Sequence, residues 1–198
     1  MVRKVWLIGA GGHSKVVAEI LKRSGEYILK GCLDDKFQAI SVDSFEFVKA
    51  PISKVSEILE VIRPDFFVWG IGNNQLRKIL MEKFIHFGIP FATVMDPSAI
   101  ISETASIGQG TVVMPGAIIN AETKIGEHCI INTGAVIEHD CAVESFVHIS
   151  PNVSIAGSVT VKEGTHLGIG SSVIQGITIN EWSIVGAGAV VVKDLPAY

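Results

Sequence analysis

ISETASIGQGTVVMPGAIINAETKIGEHCIINTGAVIEHD, residues 101–140, returns an aliphatic residue at every sixth position: Ile101, Ile107, Val113, Ile119, Ile125, Ile131 and Ile137. The column continues without a gap through Val143, Ile149, Ile155, Val161, Leu167, Val173, Ile179 and Val185 to Val191. Two residues before each stands a small or β-branched residue, from Ala99 and Ala105 through Cys129 to Ala189. A period of six fits neither a 3.6-residue helix nor a long alternating strand. It fits hexapeptide repeats, which wind into a parallel β-helix whose aliphatic side chains point inward and stack from coil to coil. Three hexads close one triangular coil, so residues eighteen apart occupy equivalent places on successive coils. His148 and His166 are such a pair, and Gly157 lies one coil beyond His139. His139 itself interrupts the pattern: it stands between Glu138 and Asp140, two residues past inward-facing Ile137, and so projects from the prism.

The residues before the repeat read as alternating β and α units. KVWLIGA (4–10) is a strand, SKVVAEILKRSG an amphipathic helix ending at Gly25, and YILKGCLDD (27–35) a second strand closing on two carboxylates. A poorly patterned stretch follows, then a helix over 54–62 stopped by Pro64. DFFVWGIG (65–72) is a third strand, NNQLRKILMEKFIHFG a helix, and FATVMDP (91–97) a last strand leading into the repeat. This alternation predicts a small parallel sheet, half of a doubly wound domain, over residues 1–95, with the β-helix over 96–198. The turn Gly9-Ala10-Gly11-Gly12-His13-Ser14 joins strand to helix, where backbone N–H groups favour phosphate, and Asp34 and Asp35 stand where an acid can reach a ribose. Ser14 occupies the third glycine position of the dinucleotide fingerprint. A mononucleotide, or the diphosphate of a nucleotide sugar, therefore suits this half-size domain better than a dinucleotide.

Composition narrows the function classes. The chain has 198 residues, 48% hydrophobic and 18% charged, with a net charge of −4. That balance supports a packed core and gives no electrostatic reason to expect nucleic acid. Lys22-Arg23 and Arg77-Lys78 read as solvated helix faces. No apolar run reaches the roughly 20 residues that span a bilayer, and MVRKVWLIGAGG has no secretory h-region, so a cytoplasmic protein without membrane insertion is expected. The three cysteines lack metal or disulfide spacing; Cys129 and Cys141 fall in the small-residue column and read as buried thiols.

GAGGHS (9–14), LDD (33–35), IGNNQLRK (71–78), INTGAVIEHD (131–140) and the hexads together resemble the bacterial sugar acyltransferases that comprise UDP-4-amino-sugar N-acetyltransferases and sialic acid O-acetyltransferases. The resemblance implies a left-handed β-helix, a homotrimer, and acetyl-CoA as acyl donor bound between neighbouring prisms. It implies acetyl transfer to the 4-amino group of a nucleotide-linked sugar, UDP-linked in the family, in bacterial surface-glycan biosynthesis; the alternative is O-acetyl transfer to sialic acid or a related sugar. By resemblance His139 is the general base, a task suited to a side chain whose ordinary pKa lies close to neutral. Asp140 stands where the aminosugar enzymes are expected to carry glutamate as the group orienting the base, and Glu138 is the other candidate. The same resemblance places His148 near the thioester, the Gly157 N–H at its carbonyl, and Asn132 in the same cleft. His166 joins them as a donor-site candidate through its equivalence to His148. Gly11, Gly12 and His13 are expected at the diphosphate, Asp34 and Asp35 at the ribose or base. Asn73 and Asn74 read equally as substrate contacts or a helix cap. No metal is expected: a metal-dependent hexapeptide enzyme needs three histidine ligands across a subunit interface and leaves residues 1–95 without a role.

Overall fold

The computed structural model describes residues 2–198. Its N-terminal part is a five-stranded sheet built around β1 (Arg3–Ile8), whose residues Val5 to Ile8 are all buried because the strand is covered on both faces. On one side β1 pairs in parallel with β2 (Tyr27–Leu33). On the other it pairs in parallel with the strand Phe66–Trp69. Between β1 and β2 runs α1 (Gly12–Ser24), which buries Val17, Ile20 and Leu21 at helical spacing and ends on Gly25 in the left-handed conformation. Each of those side chains contributes about 1.5–3 kcal/mol by leaving water.

The stretch after Asp35 is more ordered than its sequence pattern predicts. Ser41–Val42 (β3) pairs antiparallel with Val48–Ala50 (β4), and β4 extends the parallel sheet alongside β2. Strands of two and three residues are too short for alternation to register. A helical segment, α2 (Val55–Leu59), then leads to β5 (Phe66–Trp69), and α3 (Asn74–Phe84) follows. The sheet order is β3-β4-β2-β1-β5. The expected strand over 91–97 also resolves differently. Phe91 bridges to Phe67 of the sheet, whereas Val94–Met95 (β6) pairs with Val112–Val113 of the prism. Residues 91–95 thus stitch the sheet to the first coil.

From β6 onward the chain is a left-handed parallel β-helix of two-residue strands, ending at Val190–Val191. Every rung pairs with the one eighteen residues away, as in Ile118↔Val136 and Val136↔Ser154. The strands form three faces. One carries β6, Val112–Val113, Ile130–Ile131, His148–Ile149 and His166–Leu167; the second carries Val136–Ile137; the third carries Ala142–Val143. The sixth-position column fills the interior, with Ile131, Ile137, Ile149, Val161, Leu167 and Ile179 each fully buried. The small-residue column does more than save space. The Thr111 hydroxyl donates to the Gly126 carbonyl (2.8 Å), Thr123 to Glu138 (2.7 Å), Thr165 to Asn180 (2.8 Å), and the Cys129 thiol to Glu144 (3.0 Å). Each bond spans fifteen residues and satisfies a corner carbonyl of the next coil. Burial pushes the Cys129 thiol up to about 12, consistent with an inert structural group.

Candidate functional site

Two sets of site residues emerge, one at a corner of the prism and one in a cleft beneath the N-terminal domain. The corner runs from Glu138 to Cys141, between the second and third faces. Its backbone is fixed by Glu138 N–H to the Ile155 carbonyl (3.0 Å), by the Thr123 hydroxyl on the Glu138 carbonyl, and by Ser158 N–H to the His139 carbonyl (3.0 Å). Asp140 adopts the left-handed conformation (φ 58°), which aspartate tolerates better than most residues. His139 Nδ1 and Asp140 Oδ2 lie 2.7 Å apart. The carboxylate accepts, so in the neutral ring Nδ1 carries the proton and Nε2 keeps its lone pair. Among the described residues, no hydrogen bond joins Glu138 to the ring.

The ring lies across Gly157. A Cβ built there would meet His139 Cε1 at 2.7 Å and Nε2 at 2.8 Å, so only glycine lets the imidazole pack this closely on the next coil. The Gly157 N–H makes no backbone hydrogen bond among the described residues, which leaves it free to donate beside Nε2. The corner can therefore offer a base and a hydrogen-bond donor side by side, the pair that acyl transfer requires.

The cleft, about 440 Å³, lies where the N-terminus of α3 overhangs the first face; Asn73, Asn74, Gln75, His148, His166 and Trp182 line it. His148 and His166 stack on successive rungs with centroids 4.7 Å apart and planes 3° from parallel. His148 Nδ1 lies 3.2 Å from the Gly72 carbonyl and Nε2 lies 3.0 Å from the Asn132 amide nitrogen. His166 Nε2 lies 2.8 Å from the Ser150 hydroxyl. Burial, with His166, Arg77 and His13 nearby, pushes His148 down to about 3. Burial likewise holds His13 at about 4; its Nε2 has no partner among the described residues, and its ring stands 6.4 Å from His148.

Gly11 and Gly12 are exposed at the start of α1. Asp34 holds their loop from behind: its carboxylate accepts from Ala10 N–H (2.6 Å), while Lys36 donates to the Ala10 carbonyl. Asp35 accepts from Ser53 N–H (3.3 Å). The loop packs against the end of β5 because Gly70 has no side chain; a Cβ there would lie 2.7 Å from Ser14 Cβ and 2.8 Å from the Gly9 carbonyl. Asn73 caps α3 by accepting from Leu76 N–H (2.8 Å). Asn74 instead reaches the prism, donating to the Gly164 and Thr165 carbonyls (3.0 and 3.1 Å).

The reading of Arg77-Lys78 as a solvated face is overturned. Arg77 is 0% exposed and donates to the carbonyls of His128, Phe146, Ile71 and Gly72, with no carboxylate partner. Lys78 pairs with Glu163 and lies over the Trp182 ring. Asn74 and Arg77 thus seat α3 on corner carbonyls of three successive coils, and Lys78 adds an ion pair to the Glu163 carboxylate beside them. Arg77 shares its helix face with Leu80 and Phe84, a spacing legible in the sequence, and it was missed because an arginine there reads as polar surface.

The structure brings Asn73, His148 and His166 to the cleft, with Asn132 at 3.0 Å from His148 Nε2 and the His13 ring 6.4 Å from the His148 ring. His139, Asp140 and Gly157 gather separately. Their corner is the one opposite the face that carries His148, so within one chain the two sets point apart. No group of three or more His, Cys, Asp or Glu side chains arranged for a metal occurs among the described residues.

A nucleotide-type half domain clamped to a hexapeptide prism defines a two-domain acyltransferase of the β-helical class. Residues 4–84 match the PglD N-terminal domain, and residues 104–139 match the bacterial transferase hexapeptide (six repeats). The chain is 36% identical to a histidine-to-alanine variant of GDP-perosamine N-acetyltransferase from Caulobacter crescentus solved with CoA and GDP-perosamine, covering 100% of this chain and 92% of that one at a TM-score of 0.87. It is 35% identical to the acetyltransferase domain of PglB from Neisseria gonorrhoeae in complex with acetyl coenzyme A, covering 99% and 94% at a TM-score of 0.87. It also matches UDP-N-acetylbacillosamine N-acetyltransferase of Bacillus subtilis, 44% identical over 110 residues, and this match spans 56% of the chain and 50% of that protein. The chain belongs to the bacterial sugar acyltransferase family that contains these N-acetyltransferases. Among the described residues no helix is long and apolar enough to cross a membrane.

Proposed function

We propose that this chain transfers an acetyl group from acetyl-CoA to the 4-amino group of a nucleotide-linked amino sugar, UDP-linked or GDP-linked as in the relatives, in the cytoplasmic assembly of a bacterial surface glycan. The observation that carries the reading is the corner itself: His139 held by Asp140 at 2.7 Å, with its ring packed on Gly157. The amine nitrogen attacks the thioester carbonyl carbon as His139 Nε2 takes one of its protons. Asp140 holds the ring with Nδ1–H inward and stabilises the imidazolium that forms. The Gly157 N–H donates to the developing oxyanion. Collapse breaks the C–S bond, and the CoA thiolate takes the proton from the imidazolium.

Because His139 and the cleft point apart in one chain, a site using both needs at least two copies of it. A homotrimer supplies them: the corner of one prism meets the cleft of its neighbour, and acetyl-CoA lies between. His148, His166 and Asn132 then line the donor side. The glycine loop, shaped by Asp34 and flanked by His13 and Asp35, receives the nucleotide, with Asn73 at the cleft rim. Binding energy from the nucleotide goes into placing the amine against His139. The relatives' complexes with CoA, acetyl-CoA and GDP-perosamine support donor and acceptor alike.

The test is release of free thiol from acetyl-CoA across a panel of nucleotide 4-amino sugars and free sialic acids. Turnover confined to the nucleotide amino sugars is expected. Turnover confined to sialic acids would put O-acetyl transfer in its place.

A further inference from the structure

The clamp that seats α3 also reaches the cleft. Gly72, the residue where β5 has ended and α3 is about to begin, offers one carbonyl to two donors: Arg77 Nη1 at 3.1 Å and His148 Nδ1 at 3.2 Å. A carbonyl oxygen only accepts, so His148 carries its proton on Nδ1. The opposite side of the ring gives the same result independently. Asn132 Oδ1 accepts from Thr133 N–H (2.8 Å), which turns the amide NH2 toward His148 Nε2, and that nitrogen must accept. Both ring nitrogens are thus committed, and the imidazole has one neutral tautomer that satisfies them.

The guanidinium has no alternative to its carbonyl partners. It is fully buried, and its four acceptors come from the β5–α3 loop (Ile71, Gly72) and from two prism corners (His128, Phe146). One planar fork therefore sets the height of the Gly72 carbonyl above the first face, where His148 stands. A lysine ammonium, a point donor on a flexible stem, cannot hold four carbonyls spread around a plane.

We propose that Arg77 is a positioning residue: through the Gly72 carbonyl it locks His148 as the Nδ1–H tautomer and fixes the cleft floor on which the acetyl-transfer site is assembled. Its link to acetyl transfer rests on the function proposed above; its link to His148 stands on geometry alone. The groups facing His148 are His13 from α1, His166 from the neighbouring rung and Arg77 from α3, all cationic or neutral, so none favours a second proton on the ring.

Nitrogen-15 NMR of the imidazoles in the intact protein, with His148 assigned by its absence in His148→Gln, reads the tautomer directly. In the wild type Nδ1 is expected to be proton-bearing and Nε2 unprotonated. Asn132→Ala leaves Arg77 and Gly72 in place and should keep that form. Arg77→Lys should shift the ring toward a mixed population and lower kcat about tenfold, with the Kd for acetyl-CoA within twofold of wild type. An Nε2–H ring in the wild type overturns the proposal, as does a tautomer that switches in Asn132→Ala. So does an Arg77→Lys protein that loses thermal stability while its His148 shifts stay those of the wild type. Should Arg77→Lys fail to fold, the wild type and Asn132→Ala still decide. Should no nucleotide sugar be turned over, the tautomer still decides the role of Arg77, and the failure falls on the function.

Discussion

The three atoms nearest to a Cβ at Gly157 all belong to the His139 ring, so replacing Gly157 with alanine should move that ring. The new Cβ would stand 2.7 Å from Cε1, 2.8 Å from Nε2 and 3.2 Å from Nδ1, inside ordinary van der Waals contact on all three. The backbone at Gly157 is not left-handed, and alanine restricts the unfolded chain, so the substitution itself is neutral to stabilising by about 0.4–1 kcal/mol. The ring yields instead. Its side chain is 60% exposed, so it swings toward solvent at small cost in stability, breaking the 2.7 Å bond to Asp140 as it goes. A displacement of about 1 Å at a reacting group costs on the order of 10²-fold in rate. Steady-state kcat for thiol release should therefore fall about 100-fold, a barrier increase of about 2.7 kcal/mol, while the melting temperature stays within a few degrees. The double variant His139→Ala/Gly157→Ala should be no slower than His139→Ala alone, because both changes remove the same interaction. A kcat within twofold of wild type would refute the placement of the ring over Gly157 or its role as base, and additive losses would refute the shared cause.

Asp34→Ala removes the acceptor that orders Ala10 and the glycine loop, so the KM for the nucleotide sugar should rise severalfold with the KM for acetyl-CoA unchanged, as initial-rate kinetics in both substrates will show. Ile137→Ala empties a fully buried interior position and should cost about 2–5 kcal/mol in urea denaturation, where a loss under 1 kcal/mol would mean the prism collapses around the gap. Acid should destabilise the fold through its buried histidines. His13 and His128 are held near 4 and His148 near 3, chiefly by burial, whereas the unfolded chain protonates them below about 6.5. Stability is then complete above pH 6.5 and falls as pH drops toward 4, because the unfolded state binds the extra protons. A melting temperature flat across that window would contradict the buried neutral imidazoles.

The prism, apart from its hand, was legible because each hexad repeats one physical requirement, an inward aliphatic residue at a fixed spacing, sixteen times over. Equivalence across coils followed from arithmetic, and the His148–His166 stack is its direct consequence. The corner histidine was visible because Glu138-His139-Asp140 departs from that filler. What the sequence hid were the short and the cross-domain features. β3 and β4 are too brief to show alternation. The Asp34 carboxylate is expected at a ribose or base, and its bond to Ala10 N–H, which orders the glycine loop, is a further role that the sequence did not announce. Arg77 is a buried cation satisfied only by backbone carbonyls, and those carbonyls become available only once the prism has formed. No local pattern announces such a partner. His139 and His148 stand nine residues apart, half of an eighteen-residue coil, so their opposite placement is open to the same arithmetic, whereas the overhang of α3 on the face of His148 is not.

Amide formation by His139 on a nucleotide-linked amine is read directly from the product of a single incubation. Acetyl-CoA labelled with carbon-13 in the acetyl group is supplied with nucleotide 4-amino sugars to wild type and to His139→Asn, and the product is read by NMR. An acetamide carbonyl on the 4-amino nitrogen is expected, formed one for one with free CoA thiol, with a rate lowered about 10²–10⁴-fold in His139→Asn. An ester carbonyl in place of the amide, or undiminished amide formation by His139→Asn, would contradict it.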